Sequence, residues 1–143
     1  PRFGLRFFTK GENVKYYGYG PYESYSDKHL CTYLDEFNTT VSDMYEPYIK
    51  PQENGSHFGT RYVETENIRV SSDTPFSFSA LHYTQEELTE KKHNFELEKC
   101  DDTVLCIDYK QNGIGQNSCG PLTQEEYRFD ESEFEFKIRI EIK

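Results

Sequence analysis

The chain has 143 residues, which is enough for one domain with its own core and too few for two domains of ordinary size. Its formal net charge of −10 argues against nucleic acid and anionic membranes as partners, and no apolar run approaches the ~20 residues that cross a bilayer. Tyr and Phe number 12 and 11, and because aromatic side chains favour pleated, half-buried surfaces, the composition favours β-sheet.

The first half of the chain predicts strands that are separated by one long loop. Phe3, Leu5 and Phe7 alternate with other residues, which is the period of a strand. Further strands are predicted at 14–19, 62–70 and 76–80. Residues 43–59 carry two prolines and two glycines, and this composition predicts a long irregular connection.

One short helix is predicted after the strand at 76–80. Thr84 and Glu87 have the spacing of a capping box, in which a hydroxyl and a carboxylate satisfy free N–H groups of the first turn. Leu88 follows, and Lys91 and Lys92 stand where the helix dipole favours cations. The helix would have about two turns, which is too short to organise a helical fold.

The second half predicts two more strands and a glycine-rich loop. A strand is predicted at 104–109, and the loop at 111–121 follows it with three glycines and a proline. Phe134, Phe136, Ile138, Ile140 and Ile142 alternate with charged residues, which predicts a strand with one buried face and one wet face. Many short strands joined by turns predict an all-β, antiparallel β-sandwich with one short helix.

The cysteines and histidines do not show the spacing of a metal site. None of the cysteines falls in a CxxC pair, and the histidines are equally scattered. Four dispersed cysteines in a chain of this size favour reduced thiols in a cytoplasmic protein over two disulfides. The residues concerned are Cys31, Cys100, Cys106, Cys119, His29, His57, His82 and His93.

The sequence singles out no catalytic group. Carboxylates are plentiful, but runs such as Glu86-Glu87 are typical of a solvated face, and no acid/base pair stands out. Gly113 and Gly115 do not complete a phosphate-binding fingerprint, because Ser118 replaces the third glycine; a turn with positive φ is the favoured explanation. Cys119 lacks an identifiable His partner, which argues against a nucleophile.

Four segments together resemble a known family. They are GPYESYSD at 20–27, DMYEPYIKPQENG at 43–55, FSFSALHY at 76–83 and DYKQNGIGQNSCGP at 108–121. They are similar to the patterns GPxExYxDR, YxxPQENG, FxFSAxxY and DxxQxGxGxxS[WC] of the large β-galactosidases of glycoside hydrolase family 2. The matches come in the family's order and span nearly the whole chain.

The resemblance implies a place in a multidomain enzyme. Family members contain a jelly-roll domain, immunoglobulin-like domains, a catalytic (β/α)8 barrel and a final large sandwich, a supersandwich of the galactose mutarotase-like kind. Residues 1–143 would be a single domain, the later part of this last sandwich (domain 5, or the small chain where it is a separate subunit). Since Pro1 is not preceded by Met, we expect the other domains before it or on another chain.

The same resemblance implies the reaction and the partners. The parent enzyme would hydrolyse terminal β-D-galactosides such as lactose with retention, by double displacement on two glutamates. Those glutamates and the family's Mg and Na ligands lie on the barrel side, so no catalytic residue, metal ligand or cofactor is expected in this chain. The implied partners are the rest of the β-galactosidase, chiefly the barrel, a galactoside substrate and further copies in a homo-oligomer.

Candidate substrate-binding residues lie in the two loops. In the family, the loop that matches 113–120 reaches toward the active-site mouth, and the best-known members place at the position of Cys119 a Trp that stacks on the sugar next to galactose. A thiol has no ring face for such stacking, but Asn117, Ser118 or a nearby Tyr would still hydrogen-bond a sugar hydroxyl. Glu53 and Asn54 would bond sugar hydroxyls or neighbouring-domain groups.

A second interpretation of Glu53 and Asn54 is that they fix their own loop, as Asn and Glu in turns commonly do, and that Arg61 pairs with a carboxylate. Two other functions also remain open for the whole chain. One is a stand-alone carbohydrate-binding module with exposed aromatic platforms. The other is a purely structural assembly domain that makes no contact with sugar.

Overall fold

The computed structural model describes residues 2–114 and 122–143. Its strands are β1 (Arg2–Thr9), β2 (Asn13–Gly20), β3 (Tyr33–Thr40), β4 (His57–Glu64), β5 (Ile68–Leu81), β6 (Thr103–Gln111) and β7 (Arg139–Ile142). The described ranges also contain one α-helix, α1 (Gln85–Glu90), and short 3-10 helices at Asn94–Glu96 and Glu125–Tyr127. The predicted all-β, antiparallel fold with one short helix is confirmed.

All seven strands belong to one sheet, in the order β1-β6-β5-β4-β2-β3, with β7 added to β5. Every pairing between these strands is antiparallel. The 14-residue β5 is the centre of the sheet, because its first part pairs with β7 (Val70 with Ile140) and its second part pairs with β6 (Phe78 with Ile107). β1, β3 and β7 each pair with one strand only, so these three hold the edge positions among the described strands.

One face of the sheet holds a continuous aromatic and aliphatic core. Tyr16 pairs across the ladder with Val63, and Phe78 pairs with Ile107; all four side chains are fully buried. Burial of each such side chain contributes on the order of 2 kcal/mol. The strand predicted at 14–19 is confirmed as β2, in which fully buried residues alternate with more exposed ones.

The opposite face is also covered where β5 and β6 lie side by side. Consecutive residues are buried from Phe76 to Leu81 in β5. Helix α1 packs near this part of the sheet: the Gln85 side chain donates to Cys106 Sγ at 3.0 Å, and the fully buried Leu88 belongs to the same core cluster as Phe78. The irregular segment before β4 adds Met44 to the same core.

The predicted helix begins at its predicted cap. Thr84 Oγ1 accepts a hydrogen bond from Glu87 N at 3.1 Å. The Glu87 carboxylate does not return to Thr84; instead it accepts from Glu98 N at 2.8 Å and pairs with Lys91 at 3.4 Å. Half of the capping box is formed, and the acidic side chain ties the helix to the segment that follows it.

Two strand predictions had the wrong extent. The range 62–70 contains a hairpin turn between β4 and β5, closed by a hydrogen bond from Thr65 N to Ile68 O at 2.8 Å. The C-terminal alternation gives a strand only at β7, whose four side chains are all exposed. Before β7, the ring of Phe134 stacks on that of Tyr109, with ring centroids 4.7 Å apart. The apolar residue at this position therefore packs against a ring and is not part of a strand.

The edge strand β1 is apolar on surfaces that remain open in the described chain. Phe3, Leu5 and Phe8 are 50%, 49% and 59% exposed. β6 pairs with one side of β1, and the backbone groups on the other side of β1 have no partner strand among the described residues.

Candidate functional site

Three segments meet beside the ends of β2, β4 and β6, and we call this region the junction: residues 21–28, 53–58 and 111–114. Ser24 joins the first two, because its N donates to Ser56 O at 2.6 Å and its Oγ accepts from Phe58 N at 2.9 Å. Gln111 joins the third, because its Nε2 donates to Ser56 Oγ at 2.6 Å. Three of the four sequence motifs are thus brought together.

Glu23 is the buried centre of the junction. Its carboxylate accepts from Lys28 Nζ at 2.6 Å, from Gly55 N at 2.9 Å and from the Tyr48 hydroxyl. Burial alone would raise the pKa of Glu23, but these donors outweigh burial and hold the pKa below its usual value. Glu23 is therefore ionised at neutral pH, and its single carboxylate connects the 21–28 segment to the 53–58 segment.

Gly55 is required by this arrangement. Its φ of +67° lies in the left-handed region, and a Cβ on this residue would lie 2.5 Å from the Met44 carbonyl oxygen. The same residue directs its N–H at Glu23. A side chain here would therefore disturb the bond between the two loops.

Glu53 lies at the solvent-facing edge of the junction. Its carboxylate, which is 37% exposed, pairs with Arg2, and Arg2 Nε donates to Asp108 Oδ1 at 3.1 Å. Burial raises the pKa of Asp108, and the Arg2 charge opposes that shift. The arrangement leaves part of the Glu53 carboxylate open to solvent, while Asp108 is enclosed.

Asn54 is 1% exposed and uses its amide within its own loop. Its Oδ1 accepts from Glu46 N at 3.1 Å, and its Nδ2 donates to Gln52 O at 2.9 Å. A sugar hydroxyl that reached Asn54 would have to compete with these bonds. Sugar binding by Glu53 and Asn54 stays a prediction.

The predicted sugar-binding residues Asn117, Ser118 and Cys119 lie outside the described residues. The start of their segment is described and is held at several points. Besides Gln111, Asn112 Oδ1 accepts from Phe129 N at 2.5 Å.

Asp27 holds the last described residues of that segment. Its Oδ1 accepts a hydrogen bond from Ile114 N at 3.1 Å. The φ of Gly113 is not positive, so the predicted explanation for this glycine was wrong. Gly113 is required because the Asp27 carboxylate occupies the space that a Cβ would fill.

The sequence predicted that Arg61 pairs with a carboxylate, and this prediction was wrong. Its guanidinium donates to the main-chain carbonyl of Asp73 instead. Sequence reasoning also missed Glu23 and Asp27, although both lie in the GPYESYSD segment. Only their place in this motif could have marked these two residues in the sequence. Their partners Gly55 and Ile114 are 32 and 87 residues away along the chain, so no local pattern shows the contacts.

Other functional classes find little support in the described ranges. Cys31, Cys100 and Cys106 are free thiols, and burial raises the pKa of Cys106, which makes it a poor nucleophile. Residues 2–114 and 122–143 contain no cluster of His, Cys, Asp and Glu that could hold a metal ion. Within the same residues, no helix has the length and apolarity that crossing a bilayer requires.

The described residues define an antiparallel β domain with one loop junction built around a buried carboxylate. Residues 1–140 match the family model for the β-galactosidase small chain, and the chain belongs to that family. The family that the four motifs indicated is thereby confirmed.

Curated relatives agree with the family match. The chain is 56% identical to a β-galactosidase of Actinobacillus pleuropneumoniae and 48% identical to one of Staphylococcus xylosus, over 99% and 98% of this chain. A β-galactosidase of Streptococcus thermophilus is 37% identical over 80% of the chain. The chain spans only 14%, 15% and 12% of these relatives' lengths, so it corresponds to a small part of such enzymes.

Proposed function

We propose that this chain is the C-terminal domain of a β-galactosidase that hydrolyses terminal β-D-galactosides, lactose among them, with retention. The observation that carries the proposal is the family match over residues 1–140. The catalytic glutamates and the Mg and Na ligands belong to the part of the enzyme outside this chain. This domain completes the edge of the sugar site and supports assembly of a homo-oligomer.

The geometry of the junction supports a role at the edge of a site. Buried Glu23 holds the 53–58 segment through the N–H of Gly55, and the carboxylate of Glu53 on that segment is partly exposed to solvent. The described start of the 111–121 segment is attached to the same junction through Gln111. In this proposal, the two loops that carry the predicted sugar contacts share the junction as their base.

The proposal includes the partners and the location of the enzyme. The rest of the β-galactosidase, chiefly its barrel, is the partner that would cover the apolar surface of β1, of which Phe8 is 59% exposed. We place the enzyme in the cytoplasm, because free thiols such as exposed Cys31 suit a reducing compartment.

The test compares the isolated chain, the complete enzyme and two loop variants of the complete enzyme. We expect no turnover of lactose by the isolated chain. Deletion of residues 116–120 should abolish most of the activity on lactose, and replacement of the same five residues by Gly and Ser controls for chain shortening. Turnover by the isolated chain, or full lactose activity of both variants, would contradict the proposal.

A carbohydrate-binding module is the second candidate, and exposed aromatic side chains favour it. Tyr22 and Tyr33 are 64% and 57% exposed, and Tyr33 pairs with Gly20 across the β2–β3 ladder, close to Tyr22 along the chain. Such rings suit stacking on sugars. Calorimetry of the isolated chain with galactose and lactose separates the candidates, because binding without the barrel supports the module.

A further inference from the structure

Strand β1 carries the buried core of the sheet to an edge that is open among the described residues. Leu5 pairs with Ile107 of β6, a fully buried member of the core cluster, and directly opposed side chains share one face of a sheet. Phe7, two residues further along the strand, still packs against that core. Leu5 itself is 49% exposed, so the core face of the sheet reaches solvent at β1.

Aromatic side chains enlarge this open surface. The ring centroid of Phe3 lies 4.9 Å from that of Phe134, yet Phe3 remains 50% exposed. Phe8, on the opposite face of the strand, is 59% exposed. Open apolar side chains that border a continuous core are typical of an obligate interface, which resembles a domain core cut in half. The partner that fits β1 is therefore a permanent part of the same assembly.

The other two edge strands are shielded in ways that β1 is not. Soluble proteins commonly protect a sheet edge by charged side chains or by making the strand very short. β3 carries the exposed carboxylates of Asp35 and Glu36, and β7 has only four residues. β1 has eight residues, and its two charged side chains, Arg2 and Arg6, both form ion pairs within this chain. The edge of β1 is thus the one of the three that is suited to strand addition.

We infer that a strand from the part of the β-galactosidase outside these 143 residues pairs with the open edge of β1. The inference rests on the proposed function. The chain spans only 14%, 15% and 12% of three relatives' lengths, so most of such an enzyme is available to supply the strand. The added strand would satisfy outward backbone groups of β1, which side-chain contacts with the barrel alone would leave unpaired.

The structure also defines the pattern of the added strand. Residues 4–9 of β1 pair with β6 in an unbroken register, so they offer a regular edge of six residues. The added strand would need apolar side chains at alternate positions, because these cover Leu5 and Phe7 on the core face. The positions between them would face the side of Arg6, where polar side chains are suited.

The first test measures residue-resolved amide hydrogen exchange in the complete enzyme. In an edge strand only alternate N–H groups face the neighbouring strand, and the others exchange with water. With a strand on each side of β1, all N–H groups of residues 4–9 should exchange at least about 100-fold more slowly than in an unstructured peptide of the same sequence. Rapid exchange at every second residue of this range would overturn the inference.

Two leucines of nearly equal exposure on different edge strands provide matched variants. Leu5 on β1 and Leu34 on β3 are 49% and 47% exposed. In the complete enzyme, Leu5→Asp places a charge in the inferred contact and should speed exchange of the outward β1 amides at least about tenfold. Leu34→Asp should leave these amides within about twofold of the wild type. Equal exchange of β1 in the two variants would contradict strand addition.

A photo-reactive benzoylphenylalanine in place of Leu5 identifies the partner, also where Leu5→Asp gives too little folded enzyme. In a mixture of ¹⁴N- and ¹⁵N-labelled enzyme, mass spectrometry of the linked peptides separates links within one molecule from links between copies. The linked peptide should come from outside these 143 residues and from the same enzyme molecule. A link within the 143 residues, or to a second copy, would overturn the inference. Lactose turnover is measured on the same preparation, and a folded wild-type enzyme without turnover would refute the proposed function instead.

Discussion

His57 makes the stability of the chain depend on pH, because its ring is enclosed among aromatic residues. It is 1% exposed, and its ring centroid lies 4.7 Å from that of Tyr16 and 5.3 Å from that of Phe78. Its Nδ1 lies 3.1 Å from the Tyr19 carbonyl oxygen, which identifies the neutral tautomer protonated at Nδ1. Burial lowers the pKa of His57 to about 4, although the Tyr19 carbonyl and the Glu23 charge oppose the shift.

The sign and size of the effect follow from linkage. The unfolded chain binds a proton at His57 near pH 6.5, whereas the folded chain does so only near pH 4, so stability is lost as the pH falls through this window. The full difference corresponds to about 3 kcal/mol, and about 2 kcal/mol of it is lost between pH 7 and pH 5. His57 contributes nothing to the pH dependence above this window.

The assay is urea unfolding followed by circular dichroism, since the chain has no Trp to report by fluorescence. His57→Asn keeps a donor near the Nδ1 position and removes the titration. This variant should be less stable than the wild type at pH 7, yet it should lose about 2 kcal/mol less on going to pH 5. His93→Asn makes the same change at an exposed residue and is the matched control for the loss of an imidazole. Equal losses in wild type and His57→Asn would refute the reasoning.

Three further substitutions test the junction by the same urea unfolding at pH 7. Glu23→Gln should lower the free energy of unfolding by about 2 kcal/mol, because four donors lose a buried charged acceptor; Glu53→Gln, at a partly exposed ion pair, should cost at most about 1 kcal/mol. Gly55→Ala should cost about 1–2 kcal/mol, because it places a Cβ at φ +67° and against the Met44 carbonyl; an unchanged midpoint would contradict the strain argument.

The sequence predicts those elements whose signals are local. The signals of the strand at Val14 to Tyr19 and of the Thr84 cap come from neighbouring residues, and both elements formed where they were predicted. The edge strand β3 was missed, because its exposed and mostly polar residues show no alternation. The strand predicted at 134–142 was too long, because ladder partners are set by distant segments and only β7 found one, on β5.

The candidate site divides in the same way. Motifs located the loops, since glycines, prolines and the QENG run are visible in the sequence. The contacts that join the loops were not visible, because Glu23 to Gly55 and Asp27 to Ile114 are tertiary pairings with no periodic signature. Gly113 shows the limit most clearly: the sequence marked it as a turn residue, while the reason for it is a carboxylate from another segment.

The open edge at β1 has a practical consequence for handling the chain alone. Eight residues with an unpaired outer ladder and exposed Phe3, Leu5 and Phe8 form a template on which a second molecule adds as a strand. Mutual repulsion of molecules with a net charge of −10 slows that addition at neutral pH and low salt. Acidification toward the isoelectric point near 4.8, or added salt, weakens the repulsion, so concentrated preparations will turn turbid there, and the unfolding at pH 5 therefore requires dilute protein.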